Sequence, residues 1–297
     1  MTPNSRGALL MMLSMSAFTL NDACMKSLSD QIPLFQAVFL RGIFTSLTLA
    51  IAAAWLGAFS VALSRRDWML VGIRSLAEVA AAYFFISALF KMPIANVTAI
   101  LQALPLTVTL AGAMFFGEKV GWKRMLAILV GFLGVLLIVK PGAEGFNSYA
   151  VYAVIAVIAV TIRDLAARRL SHEVPSMTVA LSAAVLVTGF GGLGLLTQPW
   201  APVGGTEALQ LAGTVFFVIG GYLFSVMAMR IGEISVVAPF RYFSLLCALV
   251  LGLLVFGEWP DSLTLIGSAI VVATGVFTFY RERRLARGYG PVGLRIR

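Results

Sequence analysis

The sequence has few of the residues on which metal sites and soluble enzymes depend. It contains one histidine and two cysteines, Cys24 and Cys247, in 297 residues. A single histidine argues against a histidine-based metal site, and cysteines in or beside apolar segments are typical of small buried side chains. The H-E-x-x-H, G-x-S-x-G and phosphate-loop motifs are absent from the sequence. Neither an enzymatic activity nor a cofactor is therefore predicted.

Charge is also scarce, and apolar residues dominate. Charged residues make up 12% of the chain and hydrophobic residues 60%, with a mean hydropathy of +0.96. Soluble domains are about 25% charged and about 45–50% apolar. The net charge of +9 does not predict a nucleic-acid partner, because the charges lie in loops between apolar runs. The composition predicts an all-α, polytopic membrane protein.

Ten apolar segments are long enough to cross a bilayer, since a helical span needs about 20 residues. They are residues 7–28, 34–57, 68–90, 94–116, 121–139, 149–169, 176–196, 207–229, 233–256 and 261–280. The first is interpreted as a span and not as a signal peptide, because no A-x-A-like cleavage site follows it. The loops are short, which leaves no room for a soluble catalytic domain.

Lysine and arginine are distributed unequally between the two sides that these spans define. Fifteen fall on one side, and only Lys26, Lys91 and Lys140 fall on the other. The positive-inside rule then predicts that both termini lie in the cytoplasm. The expected location is the bacterial inner membrane.

The two halves of the chain resemble each other. Shifted by 142 residues, Asp22 matches Asp164; shifted by 140 residues, the segment 84–118 has nine identities in 35 positions, ending in Phe-Gly-Glu in both copies. Each copy has five spans, an odd number, so the copies must face opposite ways across the membrane. The sequence predicts an inverted repeat around a central cavity, formed by residues 1–142 and 143–280, with a basic cytoplasmic tail at 281–297.

Polar groups within the spans are candidates for gating or ion pairing, because such groups are costly in a membrane. They are Asn21, Asp22, Arg41, Arg74, Glu78, Arg163 and Asp164. Arg74 and Glu78 are four residues apart, so they are predicted to pair on one helix face. A purely structural role is the alternative for each group. Proton coupling through Asp22 or Glu78 is left open.

Arg241 breaks the internal symmetry of the repeat. The 140-residue shift places it opposite Leu101, and its neighbour Tyr242 opposite Gln102. Arginine is suited to binding a carboxylate through two parallel hydrogen bonds, so Arg241 is predicted to face the substrate. A buried ion pair with an internal acid is the alternative.

The other candidates for substrate binding are polar or aromatic side chains of the central spans. They are Tyr83, Phe84, Asn96, Gln102, Tyr222 and Tyr242. For the aromatic side chains the alternative is packing alone, and for Asn96 and Gln102 it is interhelical hydrogen bonding. Pro105 and Pro239 are predicted to kink their helices, although they do not occupy equivalent repeat positions.

Three sequence features carry a resemblance to a known family. They are Asn21-Asp22 with Lys26 at the end of the first span, Phe39-Leu40-Arg41 in the second, and Gly117-Glu118 with Gly257-Glu258. With them the chain resembles the drug/metabolite transporter superfamily, specifically its EamA-type carriers. The resemblance implies a bacterial inner-membrane carrier with a central cavity lined largely by spans 3, 4, 8 and 9.

The aromatic residues of these spans resemble those of aromatic-amino-acid exporters. The expected function is therefore export of amino acids with aromatic or apolar side chains by alternating access. Import of another metabolite, such as riboflavin or a nucleotide-like or carboxylate compound, and a channel are the alternatives. The expected partners are a small-molecule substrate and the lipid bilayer, and a homodimer is left open.

Overall fold

The computed structural model describes residues 2–55, 63–118, 120–142, 146–171 and 173–288, and within them it contains helices and no strand. In chain order the helices are α1 (Pro3–Ser27), α2 (Leu34–Trp55), α3 (Arg65–Lys91), α4a (Ile94–Leu101), α4b (Leu104–Phe116), α5 (Trp122–Val139), α6 (Tyr149–Arg168), α7 (Ser176–Gly194), α8 (Gly205–Ile231), α9a (Ile234–Val237), α9b (Phe243–Phe256) and α10 (Ser262–Gly288). Two 3-10 segments, Leu195–Thr197 and Ala238–Tyr242, extend α7 and join α9a to α9b.

Ten of the described segments are long and apolar enough to cross a membrane, which confirms the predicted fold class. Outward-facing Leu47, Phe115 and Leu254 are more than half exposed, as expected for side chains that meet lipid. The end of the second predicted span, residues 56–57, lies outside the described residues. Helix α10 continues through the first part of the predicted tail to Gly288, and residues 289–297 also lie outside the described part of the chain.

The most extensive helix contacts join the first half of the chain to the second. They pair α1 with α8, α3 with α6, α2 with α7, and α5 with α10. Exchanging each helix for the one five places away converts α1–α8 and α3–α6 into each other and leaves α2–α7 and α5–α10 unchanged. Further contacts close a ring in the order α1, α8, α2, α7, α3, α6, α4, α9 and back to α1. Helices α5 and α10 pack together outside this ring.

Two ring helices are broken within the membrane. Helix α4 is interrupted between Leu101 and Leu104, and α9 between Val237 and Phe243. Pro105 lies in the first turn of α4b, and Pro239 lies in the 3-10 segment of α9. Proline has no N–H to donate to the preceding turn. The 140-residue shift places Leu104, the first residue of α4b, opposite Ser244, the second residue of α9b, although it does not align the prolines.

The shared Gly-Glu sequence ends both broken helices in the same way. Gly117 and Gly257 have φ angles of 68° and 64°, in the left-handed region that glycine adopts without a Cβ clash. The N–H of the following glutamate then donates back into the helix, Glu118 to the Gly112 carbonyl and Glu258 to the Gly252 carbonyl. The two glutamates are thus held at equivalent helix ends.

Candidate substrate site

Seven charged side chains and one tyrosine, from six helices, form a series joined by ion pairs or by longer-range electrostatic interactions. We call it the charge ladder, and its members are Asp22, Arg41, Arg74, Glu78, Arg163, Asp164, Tyr222 and Arg241. All of them were singled out from the sequence as gating or substrate-binding candidates. Apart from the Arg74–Glu78 pair, the sequence did not indicate which of them interact with one another.

The centre of the ladder is an ion-pair cluster between α3 and α6. Arg163 lies 3.3 Å from both carboxylate oxygens of Glu78 and 2.9 Å from Asp164. Arg74 reaches the same Glu78 carboxylate at 3.7 Å, as its i,i+4 spacing predicted. The Arg163 and Glu78 side chains are only 25% and 24% exposed. The cluster therefore connects the two halves of the chain within the membrane-spanning region.

Asp22 and Arg41 extend the ladder from α1 and α2. The Asn21 side-chain amide donates to Asp22 at 2.8 Å. The Arg41 guanidinium interacts electrostatically most strongly with Asp22 and less strongly with Tyr222 and Glu78. Arg41 has no ion pair within 4 Å among the described residues. Tyr222, from α8, packs edge-on against Phe18 with ring centroids 5.3 Å apart.

Arg241 forms the other end of the ladder. It lies in the 3-10 segment of α9, about two turns from the start of the span, and its side chain is exposed. Its guanidinium lies within electrostatic range of Asp164, which attracts it, and of Arg163, which repels it. Within the described part of the chain, its guanidinium has no ion pair within 4 Å and donates no hydrogen bond. It is therefore available to an anion that enters the ring.

Gln102 positions the backbone that carries Arg241. Its side-chain amide donates to the Ser244 hydroxyl at 2.9 Å, and that hydroxyl donates to the Arg241 carbonyl at 3.0 Å. Gln102, in the break of α4, thus contacts the first turn of α9b, directly after the break in α9. The repeat alignment indicated that these positions differ between the two halves, but it did not reveal that they touch.

Two candidates lie away from the ladder. Tyr242 is buried against α10, so close to Gly275 that a Cβ at that glycine would overlap the tyrosine hydroxyl. Among the described residues, neither this hydroxyl nor the buried Asn96 side-chain oxygen has a hydrogen-bond partner. Tyr242 is therefore not placed beside its neighbour Arg241 in the ring interior.

Tyr83 and Phe84 belong to an aromatic cluster in the wall of the ring. Its members are Phe35, Tyr83, Phe84, Tyr149, Tyr152 and Phe190. They come from α2, α3, α6 and α7, and neighbouring ring centroids lie between 5.2 and 6.4 Å apart. Most of their surface is used in packing against one another, and Tyr83 and Phe84 are partly exposed.

A ring of membrane helices with a charged interior, two of them broken mid-span, is the architecture of a small-molecule transporter. The chain belongs to the EamA-like transporter family, whose sequence model matches residues 5–140 and again residues 147–280. It is accordingly a membrane transporter and not an enzyme.

Three relatives of this chain are transporters of different substrates. An S-adenosylmethionine uptake transporter of Rickettsia conorii is 26% identical over 278 residues, 92% of each chain. A riboflavin transporter of Vibrio cholerae is 30% identical over 199 residues, 67% of this chain and 66% of the other. A pseudopaline exporter of Pseudomonas aeruginosa is 26% identical over 275 residues, 90% and 93% of the two chains. A protein of known crystal structure shares the fold, with a TM-score of 0.64 and 20% identity over 95% and 99% of the two chains.

Proposed function

We propose that this transporter is a secondary carrier that exports amino-acid-like metabolites with an aromatic or apolar group across the bacterial inner membrane. The observation that carries the proposal is Arg241, an exposed arginine in a broken helix with no ion-pair partner within 4 Å among the described residues. An unpaired charge within a membrane is costly unless function requires it. A substrate carboxylate supplies the missing counter-charge.

The composition of the ladder supports a carboxylate substrate. Four arginines face three carboxylates, so the interior has an excess of positive charge. Asp164 uses one oxygen for Arg163, and its side chain is 40% exposed. It is close enough to Arg241 to interact electrostatically. A substrate carboxylate on Arg241 and a substrate ammonium on Asp164 would match an α-amino acid.

Alternating access is the mechanism that we propose, with residues 1–142 and 143–280 as its inverted repeats. The paired contacts between the two halves support this division. Helices α3 and α4 would rock against α8 and α9, opening each end in turn. Both termini would lie in the cytoplasm, as the charge distribution predicts. One chain supplies the entire ladder, so the proposal does not require a homodimer.

Uptake of a nucleoside-bearing amino acid is the second candidate. It is favoured by the similarity to S-adenosylmethionine uptake transporters over 92% of this chain. S-adenosylmethionine itself carries an α-amino acid and an aromatic base, so Arg241 would have the same role. The relatives are named for both uptake and export, which makes direction a matter for experiment.

Counterflow in proteoliposomes tests the proposal. Aromatic amino acids, S-adenosylmethionine and riboflavin are tested one at a time. Vesicles are loaded with the unlabelled compound, and uptake of the same compound in labelled form is followed. The proposal expects saturable counterflow of an aromatic amino acid. Counterflow of S-adenosylmethionine alone would support the second candidate, and flux without counterflow would indicate a channel. Inside-out and right-side-out vesicles then establish direction.

A further inference from the structure

Two ion pairs lie at opposite ends of the ring and correspond to each other in the repeat. Lys26 of α1 pairs with Glu258 after α9b at 3.0 Å, and Arg168 of α6 pairs with Glu118 after α4b at 3.3 Å. A shift of 142 residues converts Lys26 into Arg168, and a shift of 140 converts Glu118 into Glu258. We call them the Glu258 pair and the Glu118 pair.

The Glu258 pair fastens four helix ends together. The Lys26 ammonium also donates to the carbonyls of Leu89 and Met92, where α3 ends. The Glu258 carboxylate also accepts the backbone N–H of Ile94, where α4a begins, at 3.2 Å. The Lys26 side chain is 9% exposed and that of Glu258 is 27% exposed. The Glu258 pair therefore holds the ends of α1, α3 and α9b and the start of α4a together at this end of the ring.

The Glu118 pair consists of the corresponding residues, but its side chains are much more exposed. The Arg168 and Glu118 side chains are 48% and 45% exposed. Among the residues whose side chains are described, Arg168 is the one donor to the Glu118 carboxylate. Helix α9a also has only four residues, whereas the corresponding α4a has eight. The two ends differ although their sequences correspond.

We infer that the two pairs are alternating latches of the carrier, and that Lys26, Glu258, Arg168 and Glu118 position the helices for the transport cycle. In this structure the Glu258 latch is closed and buried, whereas the Glu118 latch is open in the sense that its two side chains pair at the surface without being buried between helices. In the opposite state, the Arg168–Glu118 pair becomes buried, and Glu258 becomes exposed with Lys26. The start of α4a favours the Glu258 carboxylate in the present state because the N–H groups of a helix start are free and its dipole is positive.

The inference is independent of which substrate is carried, and so is its test. Cys24 and Cys247 are replaced by serine, and spin labels are attached to cysteines introduced in pairs. One pair, at Lys91 and Trp259, spans the Glu258 end; the other, at Ile231 and Gly121, spans the Glu118 end. All four positions are exposed. Distance distributions are measured without substrate.

Glu258→Gln removes the charge and retains the shape. We expect the Lys91–Trp259 distances to lengthen and the Ile231–Gly121 distances to shorten. The population of the opposite state should rise about tenfold, which is the size expected for losing a charge-assisted hydrogen bond. Lys26→Gln gives the same shift and replaces Glu258→Gln if that variant does not fold. Lys26→Arg keeps the positive charge and should give the same distance distributions as the unmodified protein.

The matched control is Glu118→Gln, the same change at the corresponding position. It leaves the resting distances unchanged, because the Glu118 latch is already open. When Glu118→Gln is combined with Glu258→Gln, the distance changes caused by Glu258→Gln should be smaller, because neither state then has a charged latch. The inference is overturned if Glu258→Gln and Lys26→Gln leave both distances unchanged, or if Glu118→Gln shifts them in the same direction as Glu258→Gln.

Discussion

The Arg163 guanidinium lies 3.3 Å from both carboxylate oxygens of Glu78, and this contact joins α6 of one half to α3 of the other. Neither residue has a charged counterpart in the repeat that could make the same contact, because the 140-residue shift places Val218 opposite Glu78. The pair is therefore an asymmetric bridge between the halves. It also prevents Arg163 from acting as a second free cation beside Arg241.

Glu78→Gln is expected to destabilise the protein by about 1–3 kcal/mol, because Arg74 and Arg163 lose a charged acceptor while Arg163 keeps Asp164. Thermal unfolding in detergent measures the change. Glu173→Gln, in the exposed loop before α7, is the control and should leave the unfolding temperature unaltered. Equal unfolding temperatures for both variants would show that the bridge adds no stability.

Gly267 is predicted to tolerate no side chain. A Cβ at this position would lie 2.5 Å from the carbonyl oxygen of Gly134, where α10 packs on α5. Gly267→Ala should therefore cost about 1–3 kcal/mol through displacement of backbone. Gly72→Ala in α3 is the control, since nothing lies within 4 Å of its Cβ position, and it should be neutral or slightly stabilising. A neutral Gly267→Ala would contradict the close packing of α5 on α10.

Asp261 provides a pH-dependent contribution outside the spans. The hydrogen bond from the Lys140 ammonium, followed by one from the Thr264 backbone N–H, lowers the pKa of Asp261 below its ordinary value. A lowered folded-state pKa means that the stabilisation is present above the unfolded pKa of about 4 and is lost as pH falls through the folded value. The effect should be below about 1 kcal/mol because the Asp261 side chain is half exposed.

The measurement for Asp261 is the unfolding temperature between about pH 6 and pH 3. The unmodified protein should lose stability relative to Asp261→Asn as the pH falls through this range, so that the two curves converge. Lys140→Met should give the same convergence. Parallel curves would show that the pair contributes nothing that titrates.

Gln102 is predicted to act through Ser244 on the position of Arg241. Gln102→Leu and Ser244→Ala should each raise the KM for a carboxylate substrate severalfold with little effect on unfolding temperature. Because the two side chains act in one chain of hydrogen bonds, the double variant should be no worse than either single variant. Additive effects on KM would show that the two residues act separately.

The fold could be predicted from the sequence because each span is marked by length and apolar content alone. The breaks in α4 and α9 were predictable only in part, since Pro105 and Pro239 indicate weak points without fixing where the helix resumes. The ladder residues were recognisable as polar groups in apolar runs. Their pairing was not, because the contact between Arg163 and Glu78 depends on which helices become neighbours.

Tyr242 and Lys26 show the same limit. Tyr242 adjoins Arg241 in sequence, but the 3-10 segment turns its side chain towards α10. Lys26 counts as a loop charge in the distribution of lysines and arginines, whereas the structure buries it at the end of α1 beside Glu258. The repeat supplied the one signal that was available, since Lys26 and Glu258 each have a charged counterpart in the other half.

Carboxylate recognition by Arg241 is tested most directly by counterflow of an aromatic amino acid and of its decarboxylated amine in the same proteoliposomes. Arg241→Gln should reduce amino-acid counterflow by about 10- to 100-fold, the factor for losing hydrogen bonds to a charged group. Arg241→Lys should retain part of it, because the charge remains without the bidentate geometry. Arg230→Gln, at the exposed end of α8, should transport normally. Amino-acid counterflow that is unchanged in Arg241→Gln would contradict the proposed site.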